Sequence, residues 1–228
     1  MRRLTALAFI ALAALVGTAC GSRGSEPAEQ SAPKNPWFPL EPGTIMRYRG
    51  VKDGKSALDV FTVTHRTKTI QARKAAVVRD RLYLKGKLAE DTVDWYSTDA
   101  RGNVWYLGED TRELNARGGV ETTAGSWQAG VDGARAGIFM SADPRVGQRF
   151  HQEFYAGEAE DQFQILGLRA SVKVPAVTSR TAMRTKEWTR LEPGVVDNKY
   201  YVRGIGTVVE RTVMGGDEHL DLISITHG

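Results

Sequence analysis

The chain has 228 residues, 31 of them Lys or Arg and 27 Asp or Glu, and its one cysteine is Cys20. Arg2 and Arg3 open a leader, so the body carries only about +2 (29 basic against 27 acidic), with no Lys/Arg block longer than a pair. That excludes the basic footprint of a nucleic-acid binder. A single cysteine excludes an internal disulfide and leaves stability to a hydrophobic core.

Arg2 and Arg3 precede Leu4 to Val16, an uncharged stretch long enough for the apolar part of an export signal and short of the ~20 residues of a spanning helix. Gly17, Thr18 and Ala19 are small, as a signal peptidase requires, and Cys20 follows directly. These four residues resemble the lipobox of bacterial lipoproteins, with Gly17 standing where that motif most often has Leu. The resemblance implies a signal peptide over residues 1–19, acylation of Cys20, and a lipid-anchored body on the extracytoplasmic face of a cell membrane, periplasmic or at the cell surface. The alternative is plain secretory cleavage, which would leave Cys20 a free thiol.

Gly21 to Pro36 reads GSRGSEPAEQSAPKNP, too polar to offset its ordering entropy by burial. Residues 20–36 are therefore expected to be the acylated cysteine and a flexible linker, with an r.m.s. reach of about 20–24 Å.

From Trp37 to the C-terminus, period-two alternation takes over. Asp59 to His65 sets Phe61, Val63 and His65 on one face and Val60, Thr62 and Thr64 on the other. Further strands are expected at Ala75–Arg79, Arg81–Leu84, Thr92–Thr98, Asn103–Leu107, Gln148–Tyr155, Lys199–Arg203, Thr207–Met214 and His219–Thr226, separated by turn signals such as Lys85-Gly86-Lys87 and Gly215-Gly216-Asp217. No segment patterns as a helix. Residues 37–228 are thus expected to form one all-β antiparallel domain, a strongly curved sheet or barrel-like meander. Gly118 to Gly147 is glycine-rich yet apolar around Trp127 and Phe139, and is expected to be a loop packed over one end of the sheet.

Strong catalytic signatures are absent. There is no CxxC, HExxH or GxSxG; Gly204-Ile205-Gly206 lacks the third glycine of a dinucleotide loop and runs into a strand. His65, His151, His219 and His227 are scattered, and His151 with Glu153 is the one pair expected on a shared strand face. Acidic runs at Gly108-Glu109-Asp110 and Glu158 to Asp161 sit beside aromatic strands; solvated loop charge explains them, with glycoside hydrolysis or a cation as alternatives. Asp99 to Asn103 is explained by turn chemistry. In the pairs Trp95-Tyr96, Trp105-Tyr106 and Tyr200-Tyr201, alternation sends one member inward and leaves the other for contact with a partner.

The strings Asn35-Pro-Trp-Phe-Pro-Leu, Asp94-Trp-Tyr, Gly102-Asn-Val-Trp-Tyr with Gly108-Glu109-Asp110, Gly125-Ser-Trp with Ala129-Gly-Val-Asp-Gly-Ala, Gly157-Glu-Ala-Glu-Asp161 and Lys199-Tyr-Tyr together resemble a family of exported bacterial proteins that brings no established activity. The resemblance implies one exported domain, and its acidic-aromatic strings mark Glu109, Asp132, Glu153, Glu158 and Asp161 as candidate site residues. Trp95, Trp105 and Trp127 join them as aromatic ligand contacts. The reading is a membrane-anchored, non-catalytic binding domain for a small molecule, lipid or envelope component, without cofactor, metal or nucleic acid. One alternative is an interaction module that docks on protein or polysaccharide through exposed aromatics, and a carboxylate-based hydrolase is the other. A closed apolar cavity would favour the first, a shallow aromatic groove the second, and two carboxylates about 5–10 Å apart the third.

Overall fold

The computed structural model describes residues 33–228; the signal segment, Cys20 and the linker through residue 32 lie outside the described residues. Among the described residues there are strands and turns and no helix. Five long strands open the body as an antiparallel meander: β1 (Thr44–Lys52), β2 (Lys55–Ile70), β3 (Arg73–Leu84), β4 (Lys87–Thr98) and β5 (Val104–Asp110). Their two-residue turns, Asp53-Gly54, Gln71-Ala72 and Lys85-Gly86, place both residues at positive φ. That backbone twist matches the twist of the flanking strands.

Six short strands follow: β6 (Glu113–Leu114), β7 (Val120–Thr122), β8 (Trp127–Gln128), β9 (Arg135–Met140), β10 (Arg149–His151) and β11 (Glu153–Phe154). The chain ends in β12 (Gln162–Val174), β13 (Val177–Trp188), β14 (Val196–Val202), β15 (Gly206–Met214) and β16 (His219–His227). β16 pairs antiparallel with β1, so the last strand joins the first and the strand order runs β10-β12-β13-β14-β15-β16-β1-β2-β3-β4-β5-β9-β11. The outcome is one antiparallel sheet nearly closed into a barrel, as the alternation predicts.

Closure depends on the six residues Arg149 to Phe154. Arg149–His151 pair with β12 at one edge, and Glu153–Phe154 pair with β9 at the other, so this stretch stitches the two edges together. The expected strand Gln148–Tyr155 is therefore two strands broken at Gln152, each serving a different edge. Gly137 on β9 permits the approach, because a Cβ there would run into the main chain of His151 and Gln152.

Three further differences from the sequence expectation have clear causes. The Gly118–Gly147 segment is not a cover: it holds β9, which pairs with β5, and β8, so it builds wall. The hairpin β12–β13 was not foreseen, since Gly167 and a register with repeated shifts break its alternation. The packed body also starts at Asn35, two residues before Trp37. Asn35 is buried; its Oδ1 accepts from the amides of Trp37 and Phe38 at 2.9 and 3.1 Å, and its Nδ2 donates to the carbonyls of Gly102 and Met140 at 2.8 and 3.3 Å.

One apolar cluster gathers Trp37, Phe38, Val63, Tyr96, Tyr106 and Met140 at the end of the barrel where the chain enters. Phe38 meets Phe61, Tyr96 and Phe139 at centroid distances of 5.9, 5.2 and 4.6 Å. A second cluster lies where the tip of β12–β13 folds against β16: Val172 and Val174 pack with Val208, Leu220 and Leu222, and the Ala176 amide donates to Leu222 O at 3.2 Å. Each such side chain contributes roughly 1.5–3 kcal/mol on burial.

Candidate functional site: an acidic lumen

Alternation in a closed sheet sends every second residue inward. On β2 and β3 the register Phe61 to Asp80 and Val63 to Val78 puts Asp59, Phe61, Val78 and Asp80 on the inner face. On β4, Val78 opposes Asp94, Asp80 opposes Thr92 and Leu82 opposes Glu90, so Glu90 and Asp94 point the same way. β5 adds Tyr106, stacked on Tyr96 at 4.8 Å between ring centroids.

Glu109 reaches the same face through a bulge. Strict alternation after Tyr106 would turn Glu109 outward, but three steps on β5 (Tyr106 to Glu109) oppose two on β4 (Asp94 to Tyr96). Gly108 provides the bend at φ +133°, and a Cβ there would strike the Trp127 carbonyl.

The opposite wall carries Glu187 from β13, Lys199 and Tyr201 from β14, and Glu210 from β15. Lys199 Nζ sits 3.3 Å from Glu187 Oε2 and 3.3 Å from Glu210 Oε1. Glu187 Oε1 also accepts from Tyr201 at 3.0 Å and from Thr185 Oγ1 at 2.8 Å. Glu153 and Asp161 close the ring at the seam.

These side chains surround a lumen of about 400 Å³ lined by eight carboxyl groups, Lys52 and Lys199. It continues past Lys52 and Glu90 into a mouth framed by the β1–β2, β3–β4 and β15–β16 turns. At the rim, Lys52 Nζ pairs with Glu218 Oε2 at 3.2 Å. The chain enters at the other end, where Asn35 binds the β4–β5 turn.

Crowded acids in a low-dielectric space resist ionisation. Burial, then the charges of Asp94 and Glu153, pushes Glu109 up to about 9. Glu153 rises to about 8 through burial and Asp161, against the opposing pull of the Trp127 N–H. Asp94 rises to about 8 through burial and Asp80, although Tyr106 Oη donates to it at 2.5 Å. Burial raises Glu210 to about 7, with Lys199 holding it back. Asp59 is raised well above its ordinary value by burial and by Asp80. For Lys199, burial alone would lower the ammonium, but Glu187 and Glu210 outweigh it and hold the group well above the usual lysine range.

The residues singled out from sequence scatter over this frame. Glu109, Glu153 and Asp161 come together on the lumen wall. Trp127 stands behind it, buried, and donates to Glu153 Oε2 at 2.8 Å. Glu158 is exposed in a turn beside the mouth. Asp132 is exposed in the Val131–Ala134 turn at φ +48°. Trp95 and Trp105 face outward, each under a cation: Lys68 Nζ lies 3.1 Å from the Trp95 ring and the Arg73 guanidinium 4.7 Å from Trp105. Trp105 Nε1 also donates to Asp99 Oδ2 at 2.9 Å.

His151 and Glu153 do not share a face, because the break at Gln152 leaves His151 exposed and Glu153 buried. Among the described residues, no three His, Cys, Asp or Glu side chains are arranged to hold a metal ion. Sequence reasoning missed Asp59, Asp80, Glu90, Asp94, Glu187, Lys199 and Glu210. The available signal was an acid two residues from an inward aromatic, as in Asp59/Phe61 and Asp94/Tyr96.

No protein-family description matches the chain, and no curated protein matches it. Two crystal structures are similar in fold. One is of a "putative exported protein with YmcC-like fold" from Bacteroides fragilis, 13% identical, with a TM-score of 0.48 over 83% of this chain and 98% of that one. The other is of a "putative lipoprotein" from Parabacteroides distasonis, 9% identical, with a TM-score of 0.45 over 85% of this chain and 100% of that one.

Proposed function

We propose that this is an exported lipoprotein, held by acyl chains on Cys20 at the extracytoplasmic face of a membrane, whose barrel binds a polar, positively charged small molecule of the cell envelope. The observation that carries the ligand class is the imbalance inside the lumen, eight carboxyl groups against two ammonium groups. A bound cation relieves the repulsion among carboxyl groups that are otherwise kept protonated by burial and by one another.

The same imbalance argues against a lipid chain, which would bury the carboxyl groups without partners. It departs from the apolar cavity anticipated for a binding domain. Docking through outward tryptophans is weakened because Lys68 and Arg73 already cover those rings. A glycosidase-type pair needs two acids whose environments push their proton affinities apart. Asp94, Glu109, Glu153 and Glu210 all move upward together.

Two experiments test this reading. Cys20→Ser should move the protein from the membrane fraction to the soluble one, and retention on membranes refutes the anchor. A thermal-shift panel of organic cations, neutral sugars and organic anions near neutral pH should show stabilisation by cations; stabilisation by anions alone refutes the ligand class.

A further inference from the structure

Charge is divided unevenly between the two ends of the barrel. The end where the chain enters is formed by the first described residues, the tip of the β2–β3 hairpin and the β4–β5 and β14–β15 turns: Asn35 binds Gly102 and Met140, and Gly204 N donates to Pro36 O at 2.7 Å. Exposed or half-exposed on it are Arg66, Lys68, Arg73, Lys74, Arg101 and Arg203. None of the six is in an ion pair among the described residues, whereas Glu41 there is paired with Lys34 and Asp143 with Arg145. Asp99 is the other acid of this end, and its oxygens accept from Asn103 and Trp105. The mouth end carries both signs, with Lys85 and Lys87 among Glu158, Glu192, Asp217 and Glu218.

Two further features set the basic end apart. Rings hold half of its unpaired cations at the surface: Lys68 over Trp95, Arg73 over Trp105, and the Arg203 guanidinium 5.2 Å from the Trp37 ring. Side chains ordered in advance lose less entropy when they meet a partner. The first described residue, Pro33, also lies here, against Gly102. Cys20 precedes it by thirteen residues, so an acyl group on that cysteine is at most about 47 Å of fully extended chain from the basic face.

We propose that this basic end docks on the anionic phosphate headgroups of the membrane that holds Cys20, so that the barrel stands with its mouth turned away from the bilayer. The anchor selects the partner, since it keeps a lipid surface closest to the face on which the chain enters. Unpaired Lys and Arg are what an anionic surface attracts, at about fivefold in partitioning per side chain.

This inference rests on the acylation of Cys20, and the test separates the two. The full-length protein, purified from its host, is incorporated into vesicles of phosphatidylcholine alone and of phosphatidylcholine with roughly one quarter phosphatidylglycerol, and hydrogen exchange is followed at low salt. Backbone exchange in the β2–β3 and β14–β15 turns should be at least about threefold slower on the anionic vesicles, with the mouth turns unchanged. Sodium chloride at about 0.5 M, which shortens the screening length to a few ångströms, should return the exchange to the phosphatidylcholine rate. So should the double variant Arg66→Ala/Lys74→Ala, which removes two exposed cations outside the ring pairs. Equal exchange on the two lipids, or protection of the mouth turns instead, overturns the docking and leaves the anchor standing. Protein that fails to float with phosphatidylcholine vesicles overturns the anchor: if it still floats with the anionic vesicles and the same turns are protected, the docking stands without it, and if it floats with neither, both fall.

Discussion

Trp127 Nε1 donates a 2.8 Å hydrogen bond to Glu153 Oε2, linking the strand beside β5 to the strand that closes the barrel. The bond couples architecture to site: the closing strand is held by a residue of the wall, and the acid it presents to the lumen is oriented from behind.

Trp127→Phe keeps an aromatic ring but replaces the buried indole with the smaller phenyl and removes the donor. The variant should lose at least about 1–3 kcal/mol of stability, read from denaturant unfolding, because Glu153 keeps its burial and loses its partner and the smaller ring leaves space in the core. Since the Trp127 N–H lowers the proton affinity of Glu153, an NMR titration should find the Glu153 carboxyl shifted further up. An unchanged titration would show that the bond does not orient this acid.

Stability should fall as pH rises, the reverse of the usual acid denaturation. Asp94 and Glu153 at about 8, Glu109 at about 9 and Glu210 at about 7 lie above their unfolded values of 3.8 or 4.5. A carboxyl raised in the folded state contributes stability fully below its unfolded value and loses it as pH climbs through the folded one. The window therefore runs from about pH 4 to about pH 9. Asp91, held down by Arg79, and Asp99, held down by the Trp105 and Asn103 donors despite burial, act oppositely and only below about pH 4. Thermal melts should give a higher midpoint near pH 5 than near pH 8.5. Glu109→Gln should raise the midpoint near pH 8.5 and leave it nearly unchanged near pH 5.

Barrel closure should fail when Gly137 gains a side chain. Gly137→Ala drives a methyl into the main chain of His151 and Gln152, and rigid backbone on both sides leaves no inexpensive relief. The expected loss is about 3 kcal/mol or more, with proteolysis first appearing between residues 149 and 154. Cleavage elsewhere would mean that the seam is not the weakest point.

The β2–β3 turn offers a gain. Gln71 and Ala72 occupy left-handed backbone at φ +48° and +59° without being glycine. Ala72→Gly should therefore add up to about 1 kcal/mol, measured by chemical unfolding.

The all-β curved body was legible from sequence because β2, β4 and β15 alternate cleanly between small turns. Arg149 to Phe154 was less so: alternation marks a strand but not which edge each half pairs with. The lumen was harder still, because its polar inner face inverts the usual rule that buried strand residues are apolar. On β4 the polar residues Glu90, Thr92 and Asp94 point inward and the apolar Val93 and Trp95 outward, so from sequence the inward acids look like solvated charge. Glu109 was singled out by its neighbours in a motif, yet its inward position depends on the Gly108 bulge, which shifts the parity of the strand. Trp95 and Trp105, the outward members of their aromatic pairs, each sit under a cation.

The most direct test of the cationic lumen is mass spectrometry of what the protein carries when it is gently extracted from the membranes of its own host. The account predicts a co-purifying organic amine, bound to the native protein and lost from the Asp80→Asn/Glu109→Gln double variant. A bare protein, or a neutral or anionic occupant retained by that variant, would contradict it.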